Sequence, residues 1–310
     1  MLFDDSKPSH VIAHISDTHL LGGNRRLFST VDIAGNLNRV LDRLRAGDQK
    51  IDALVFTGDL ADVAEVDAYR WLREQIEPVA AELGAQIVWV MGNHDERIPY
   101  SRELFDDESD AVQDRVYDVG GLRIISLDTS VPGYHHGAIT DEQRAWLAQE
   151  LATPAQHGTV LAMHHPPLVA HKPLVRLIEL ENMDLLEAIV RGSDVRAIVA
   201  GHLHYSSFGN FAGIPVSVAS ATCYTVDLGA DKSLLLSAVD GAQSIQLVHV
   251  YGDSVVTSIV PAEAYSQVSG YPATLQAMVE TMTPDEIREM VSNKTSDFNT
   301  AEREQSADLS

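Results

Sequence analysis

Five short clusters of carboxylate, amide and imidazole side chains lie between residues 16 and 204 of this 310-residue chain. They read Ser16-Asp17-Thr18-His19, Gly58-Asp59-Leu60-Ala61-Asp62, Gly92-Asn93-His94-Asp95, His164-His165-Pro166-Pro167 and Gly201-His202-Leu203-His204. Carboxylates and imidazoles so grouped are ligands for the borderline first-row ions Mn, Fe, Co and Zn. There are too many for one closed tetrahedral site, and the number suits two metals. Two divalent ions about 3.5–4 Å apart clamp the non-bridging oxygens of a phosphate and deprotonate a shared water near neutral pH. Taken singly each cluster is weak, because an isolated GD or a lone histidine is commonly structural. The ordered set carries the argument.

Something must bring these clusters together. Each follows a short apolar run, at residues 11–15, 53–56, 87–91, 160–163 and 197–200, and a further run covers 122–127. Near-continuous runs of this kind predict strands buried on both faces. Between them, residues 32–45 place Ile33, Leu37, Val40, Leu41 and Leu44 on one helical stripe. Residues 66–83 predict a second helix, with Pro78 expected to kink or break it. Thr140 and Gln143 have the spacing of a capping box ahead of a third, and 184–191 predict a fourth. The alternation predicts a layered α/β core. In an open α/β sheet, residues just past the carboxyl ends of the strands converge on one crevice, so the five clusters are expected to meet there.

After Gly213 the pattern changes, with strands expected over 214–219 and in two pieces across 245–260. From about Ala262 the chain is polar, with one helix opening at Thr283-Pro284-Asp285-Glu286. The last fifteen residues or so, from Ser296, are expected to lack fixed structure. The expected organisation is a catalytic domain over 1–261 and a C-terminal extension over 262–310.

Composition limits the partners. Asp and Glu number 45 against 22 Lys and Arg, a formal net charge of −23, which argues against nucleic acid and against a nuclease. Phosphate in a small substrate remains compatible, because bound metal supplies positive charge locally. No apolar stretch reaches the ~18 residues of a membrane span. The start, MLFDDSKPSH, has no apolar segment of a secretory signal, and Cys223 is the single cysteine. Cytoplasm is the expected compartment.

The order DTH, GDLAD, GNHD, HHPP, GHLH resembles that of the calcineurin-like metallophosphoesterases over residues 10–260. The stretches HISDTHL, VFTGDLAD, WVMGNHD, LDTSVPG, GHLHYS and IPVSVASATCYT resemble in particular the class III cyclic nucleotide phosphodiesterases. The resemblance implies an αββα sandwich of two mixed sheets flanked by helices. It implies one metal held by Asp17, His19, Asp59 and His204, and a second by Asp59, Asn93, His164 and His202, with Asp59 bridging. The ions would be Fe, Mn, Zn or Co, the substrate a 3′,5′-cyclic nucleotide attacked by a hydroxide shared between the metals, and the assembly a homodimer. His94 is implied as the histidine that reaches the phosphate or protonates the leaving oxygen, with Asp95 orienting it or else only turning the loop. A phosphodiesterase for glycerophosphodiesters is the alternative enzyme, and a non-catalytic binding module is disfavoured by the complete ligand set.

Weaker signals surround these. By the same resemblance His135 or His136, on the loop after residues 122–127, approaches the substrate. Asp62 is a candidate acceptor for a ligand histidine or a helix N-cap. Arg25 and Arg26 are candidates for phosphate pairing or plain solvated cations, and Tyr205 and Phe208 for base stacking or loop packing.

Overall fold

β-Branched apolar runs too short for helices become strands, and the amphipathic stretches between them become helices. The computed structural model describes residues 7–301. In chain order the elements open with β1 (His10–Ile15), α1 (Ile33–Ala46), β2 (Ala53–Thr57), α2 (Val66–Leu83) and β3 (Gln86–Val90). Next come α3 (Arg97–Phe105), β4 (Arg115–Val119), β5 (Leu122–Leu127), α4 (Asp141–Glu150), β6 (Thr159–Met163), α5 (Met183–Val190) and β7 (Val195–Ala200). They are followed by β8 (Ser207–Phe211), β9 (Ile214–Val218), β10 (Thr225–Val226), β11 (Ala238–Val239), β12 (Ser244–Val250) and β13 (Val255–Pro261). Two helices, α6 (Ala273–Val279) and α7 (Pro284–Ser292), close the series.

The strands form two mixed sheets, ordered β13-β12-β1-β2-β3 and β4-β5-β6-β7-β9-β8, beside a small β10-β11 ribbon. β1, β2 and β3 run parallel, as do β5, β6, β7 and β9. The alternation of side chains across each strand divides the apolar residues among three layers. Ile12, Val55, Val88, Ile124, Val160 and Val199 fill the space between the sheets. On the outer face of the first sheet, Ile15, Leu54 and Phe56 pack with Leu37, Leu41, Leu72 and Ile76 of α1 and α2. On the outer face of the second, Ile125, Leu161 and Ile198 pack with Leu147, Leu186 and Val190 of α4 and α5. Each such side chain, fully buried, contributes roughly 1.5–3 kcal/mol. The result is the αββα sandwich with two mixed sheets.

Local expectations hold at several ends and fail at others. Thr140 accepts from Gln143 N–H and Gln143 reaches back to Thr140, so the capping box opens α4 as expected. Pro78 does not break α2, which runs unbroken from Val66 to Leu83. The short strands β4 and β8 and the helix α3 were not expected. A helical turn covers 297–301, where no structure was expected; residues 302–310, and residues 1–6 of the N-terminal stretch, lie outside the described residues.

The chain divides into a unit of residues 8–264, which holds every strand named above, and a second to which residues 7 and 265–301 belong. The second carries α6 and α7, the latter opened by a capping box between Thr283 and Glu286 with Pro284 in its first turn. Among the described residues no helix is long and apolar enough to cross a membrane.

Candidate metal centre

Parallel neighbours end side by side, so the loops after β1, β2 and β3 meet, and so do those after β6 and β7. The loops extend the pairing beyond the strands: Asp17 N–H donates to Gly58 O at 3.1 Å, His19 N–H to Asp59 O at 2.9 Å and Gly201 N–H to His164 O at 3.0 Å. Two glycines permit this approach. Gly58 has φ +88°, and a Cβ there would lie 2.7 Å from Gly92 Cα and 2.6 Å from His164 Nδ1. A Cβ on Gly201 would collide with Ser16 Oγ. Asp17, His19, Asp59, His202 and His204 themselves hold left-handed φ values between 44° and 71°. Non-glycine residues avoid that region, and its concentration at one place marks a functional site.

The structure brings the expected ligands together. One ligand atom from each of Asp17, His19, Asp59 and His204 lies within 4.8 Å of the others. His19 Nε2 is 3.2 Å from His204 Nε2, and His204 Nε2 is 3.3 Å from Asp17 Oδ1. Asp59 Oδ1 accepts the His94 N–H at 2.8 Å. Its other oxygen, Oδ2, lies between two rings, 3.4 Å from His19 Nε2 and 3.3 Å from His164 Nε2. His164 Nε2 is also 3.1 Å from Asn93 Oδ1 and 3.3 Å from His202 Nδ1. His165 faces elsewhere, with Nδ1 at Thr129 Oγ1 and Nε2 at His135 O, so His164 is the member of the pair turned to Asp59.

The outward nitrogens are committed. His19 Nδ1 meets Asp62 Oδ1 at 2.9 Å, His164 Nδ1 meets Thr57 O at 2.7 Å, and His204 Nδ1 meets Tyr224 O at 3.3 Å. Acceptors on that side hold the Nδ1 proton, so Nε2 is the nitrogen that faces inward and that offers a lone pair once its own proton is displaced. Asn93 is fixed the same way, since its Nδ2 donates to His135 Nδ1 at 2.9 Å and its carbonyl is turned to His164.

With no cation bound, the carboxylates of the set favour protons on two of its imidazoles. Burial opposes charge on Asp59, but the His164 and His19 rings hold its carboxyl well below the usual range; Asp17 is likewise lowered against its burial by His204. Burial lowers the His19 ring, yet Asp59 and Asp62 outweigh it and raise it to about 10. His164 is raised against burial to about 9 by Asp59, whereas burial and the His164 charge push His202 down to about 3. His202 turns its Nδ1 to the set, 3.3 Å from His164 Nε2. Buried ionised carboxylates face rings that hold protons a metal would displace, a donor set that cations fit.

Around this set, some expectations change. Asp95 is turned to the loops rather than to the His94 ring: it accepts from the N–H groups of Leu60, Ala61 and Gly92 and from Tyr69 Oη at 2.8 Å. Three loop N–H groups and the hydroxyl of Tyr69 on α2 satisfy it, so it ties the loops after β2 and β3. His94 Nδ1 faces instead Asp62 O at 2.7 Å. Asp62 is the acceptor for His19 and not a helix cap, because α2 starts at Val66. His135 reaches Asn93 and lies 5.1 Å from the His94 ring. His136 packs on Tyr134 and faces Glu181 at 3.8 Å. Arg25 is paired with Glu65 and Arg26 with Thr30 O. Tyr205 is buried in the second sheet's core while Phe208 is exposed on β8.

Sequence reasoning missed Thr57 and Tyr224, whose carbonyls receive His164 and His204, and His14, which is buried with Nε2 2.8 Å from Thr57 Oγ1. No residue-type signal marks a backbone carbonyl. A cavity of about 250 Å³ opens beside Asn93, between Arg97, Ile98 and the 130–133 loop.

Comparison with known proteins agrees with this geometry. The profile of the calcineurin-like phosphoesterases matches residues 10–206. The chain is 52% identical over 272 residues to a cAMP/cGMP dual specificity phosphodiesterase of Mycobacterium tuberculosis, covering 87% of this chain and 85% of that protein. It is 50% identical over 263 residues to a probable cyclic nucleotide phosphodiesterase of Rhodococcus erythropolis, covering 84% and 87%. A dimetal phosphatase structure from Danio rerio shares the fold, with a TM-score of 0.60 at 13% identity over 83% of this chain and 98% of that one.

Proposed function

This chain belongs to the calcineurin-like phosphoesterase family, and we propose that it hydrolyses 3′,5′-cyclic nucleotides, cAMP first and cGMP and 2′,3′-cyclic nucleotides as further substrates, to nucleoside monophosphates. The observation that carries the reading is Asp59 Oδ2 set between His19 Nε2 and His164 Nε2. Asp17, His19, Asp59 and His204 would hold one ion, and Asp59, Asn93, His164 and His202 the other, with Fe, Mn, Zn or Co as the ions. Bound there, the pair supplies positive charge to the phosphate oxygens and acidifies water.

The chain's own residues do the rest. Asp62 and the carbonyls of Thr57 and Tyr224 keep three imidazoles in the tautomer that faces inward. His135 orients the Asn93 amide. His94 is tethered through Nδ1 to Asp62 O, which leaves Nε2 as its free nitrogen on a partly exposed ring. As water attacks phosphorus and the bond to O3′ breaks, the doubly protonated His94 ring gives its Nε2 proton to O3′ while Nδ1–H stays on Asp62 O, and the proton lost by the attacking water passes to solvent, from which Nε2 is reprotonated. Asp95, satisfied by loop N–H groups and the Tyr69 hydroxyl, acts by holding the loops. His136 is assigned no contact with substrate.

A homodimer in the cytoplasm completes the proposal; the buried free Cys223 suits a reducing compartment. The experiment is purification without chelator, metal analysis, light scattering, and a panel of cAMP, cGMP and glycerophosphocholine. Turnover of glycerophosphocholine with none of the cyclic nucleotides would overturn the substrate assignment.

A further inference from the structure

We propose that Phe28 and Tyr224 form an aromatic ledge that stacks the base of the nucleotide whose phosphate sits at the metal centre, a subsite that rests on the cyclic nucleotide reading above. Phe28 is 68% exposed and has φ 52°, followed by Ser29 at 62°. A bulky side chain gains nothing from such a backbone, and an exposed ring gains little from burial. Both costs are nevertheless built in. Leu27 and Val31, on either side of the tip, are buried. Val31 N–H donates to Leu27 O at 2.9 Å, and Arg26 Nη1 donates to Thr30 O at 2.8 Å. The turn is thus anchored at its base, and the Phe28 ring is held out from it.

The ring has a direction relative to the chemistry. Its centroid is 5.4 Å from that of Tyr224, and Tyr224 lies 4.5 Å from His204 and 6.2 Å from His19. Two ring contacts therefore lead from a proposed metal ligand to an exposed aromatic face. In a cyclic nucleotide about six bonds of roughly 1.5 Å separate phosphorus from the glycosidic nitrogen, which places the base within that reach. Stacking on an aromatic face is tolerant of base identity, so the ledge takes adenine and guanine alike and offers nothing to a glycerol alcohol.

The test is calorimetric binding of AMP and of ribose 5-phosphate to the metal-loaded protein, wild type, Phe28→Ala and Phe28→Trp. Expected is a wild-type preference for AMP that falls roughly tenfold in Phe28→Ala, with ribose 5-phosphate affinity unchanged and the preference kept in Phe28→Trp. Equal AMP affinity in wild type and Phe28→Ala overturns the ledge, as does equal loss of both ligands. A preference that survives Phe28→Ala but collapses in Ile98→Ala assigns the base to the cavity beside Asn93 and also overturns it, as does a change in oligomeric state with AMP binding intact. If the wild type fails to hydrolyse cAMP, the cyclic nucleotide reading fails and takes the ledge with it. If it does hydrolyse cAMP and Phe28→Ala binds AMP normally, the ledge alone fails.

Discussion

Asp62 Oδ1 lies 2.9 Å from His19 Nδ1, and the same residue's carbonyl oxygen lies 2.7 Å from His94 Nδ1. One residue thus sets the tautomer of a proposed ligand with its side chain and tethers the proposed acid with its backbone. Removing only the carboxylate separates the two. Asp62→Ala is expected to weaken metal affinity about 10- to 100-fold, measured by competition with a chelating dye, while excess metal restores much of the turnover. Unchanged affinity would refute the role.

Asp59 is a harsher case, because its Oδ2 faces both sites. Asp59→Asn suits the left-handed backbone, which asparagine tolerates, yet it removes the negative charge. Metal content per chain should fall by half or more, and cAMP turnover by at least about 100-fold. Full metal content by mass spectrometry would show that Asp59 does not bridge.

Gly58→Ala should fail for a backbone reason. Its Cβ would come within 2.7 Å of Gly92 Cα, and φ +88° is unfavourable to any L side chain. The expected loss is about 2–4 kcal/mol in urea unfolding. A loss below about 0.5 kcal/mol would mean that the two loops can separate without cost.

Away from the centre, burial pushes Asp114 up to about 6, despite hydrogen bonds from Asp128 N–H and the Gln143 amide. A folded pKa above the unfolded one means that the protonated group's contribution is complete below about pH 4 and lost as pH rises through 6. Asp114→Asn keeps the acceptor Oδ1 and removes the ionisation. It should therefore stabilise the protein by about 1–2 kcal/mol at pH 7 and by nothing at pH 3.5, read from denaturant midpoints. Equal stabilities at pH 7 would contradict the assignment.

The legibility of the sequence follows how local each signal is. The clustering of these side chains was readable because its members are strand-end neighbours, each a residue type with few bland uses in that company, such as Asp17 with His19 or His202 with His204. The carbonyls of Thr57 and Tyr224 carry no side-chain signature, so the partners of His164 and His204 were invisible. The choice between two uses of Asp62 turned on where α2 begins, a matter of a few residues that periodicity does not fix. β4 escaped because RVYDV is half-exposed on a sheet edge, and β8 because SFGNF carries a glycine and little apolar character. Phe28 had no distinguishing context in LFST. Its exposure and left-handed backbone are properties of the folded turn.

Each proposed ion draws its donors from both sheets: Asp17, His19, Asp59 and Asn93 follow strands of one, and His164, His202 and His204 follow strands of the other. A metal-loaded centre would therefore work as a clasp across the seam of the sandwich. Loading it would tie halves that also meet through apolar contact and through hydrogen bonds such as Ser126 Oγ to Trp89 O and Gln246 Nε2 to Val218 O, so metal supply in the cell would act on the lifetime of the fold as well as on its chemistry.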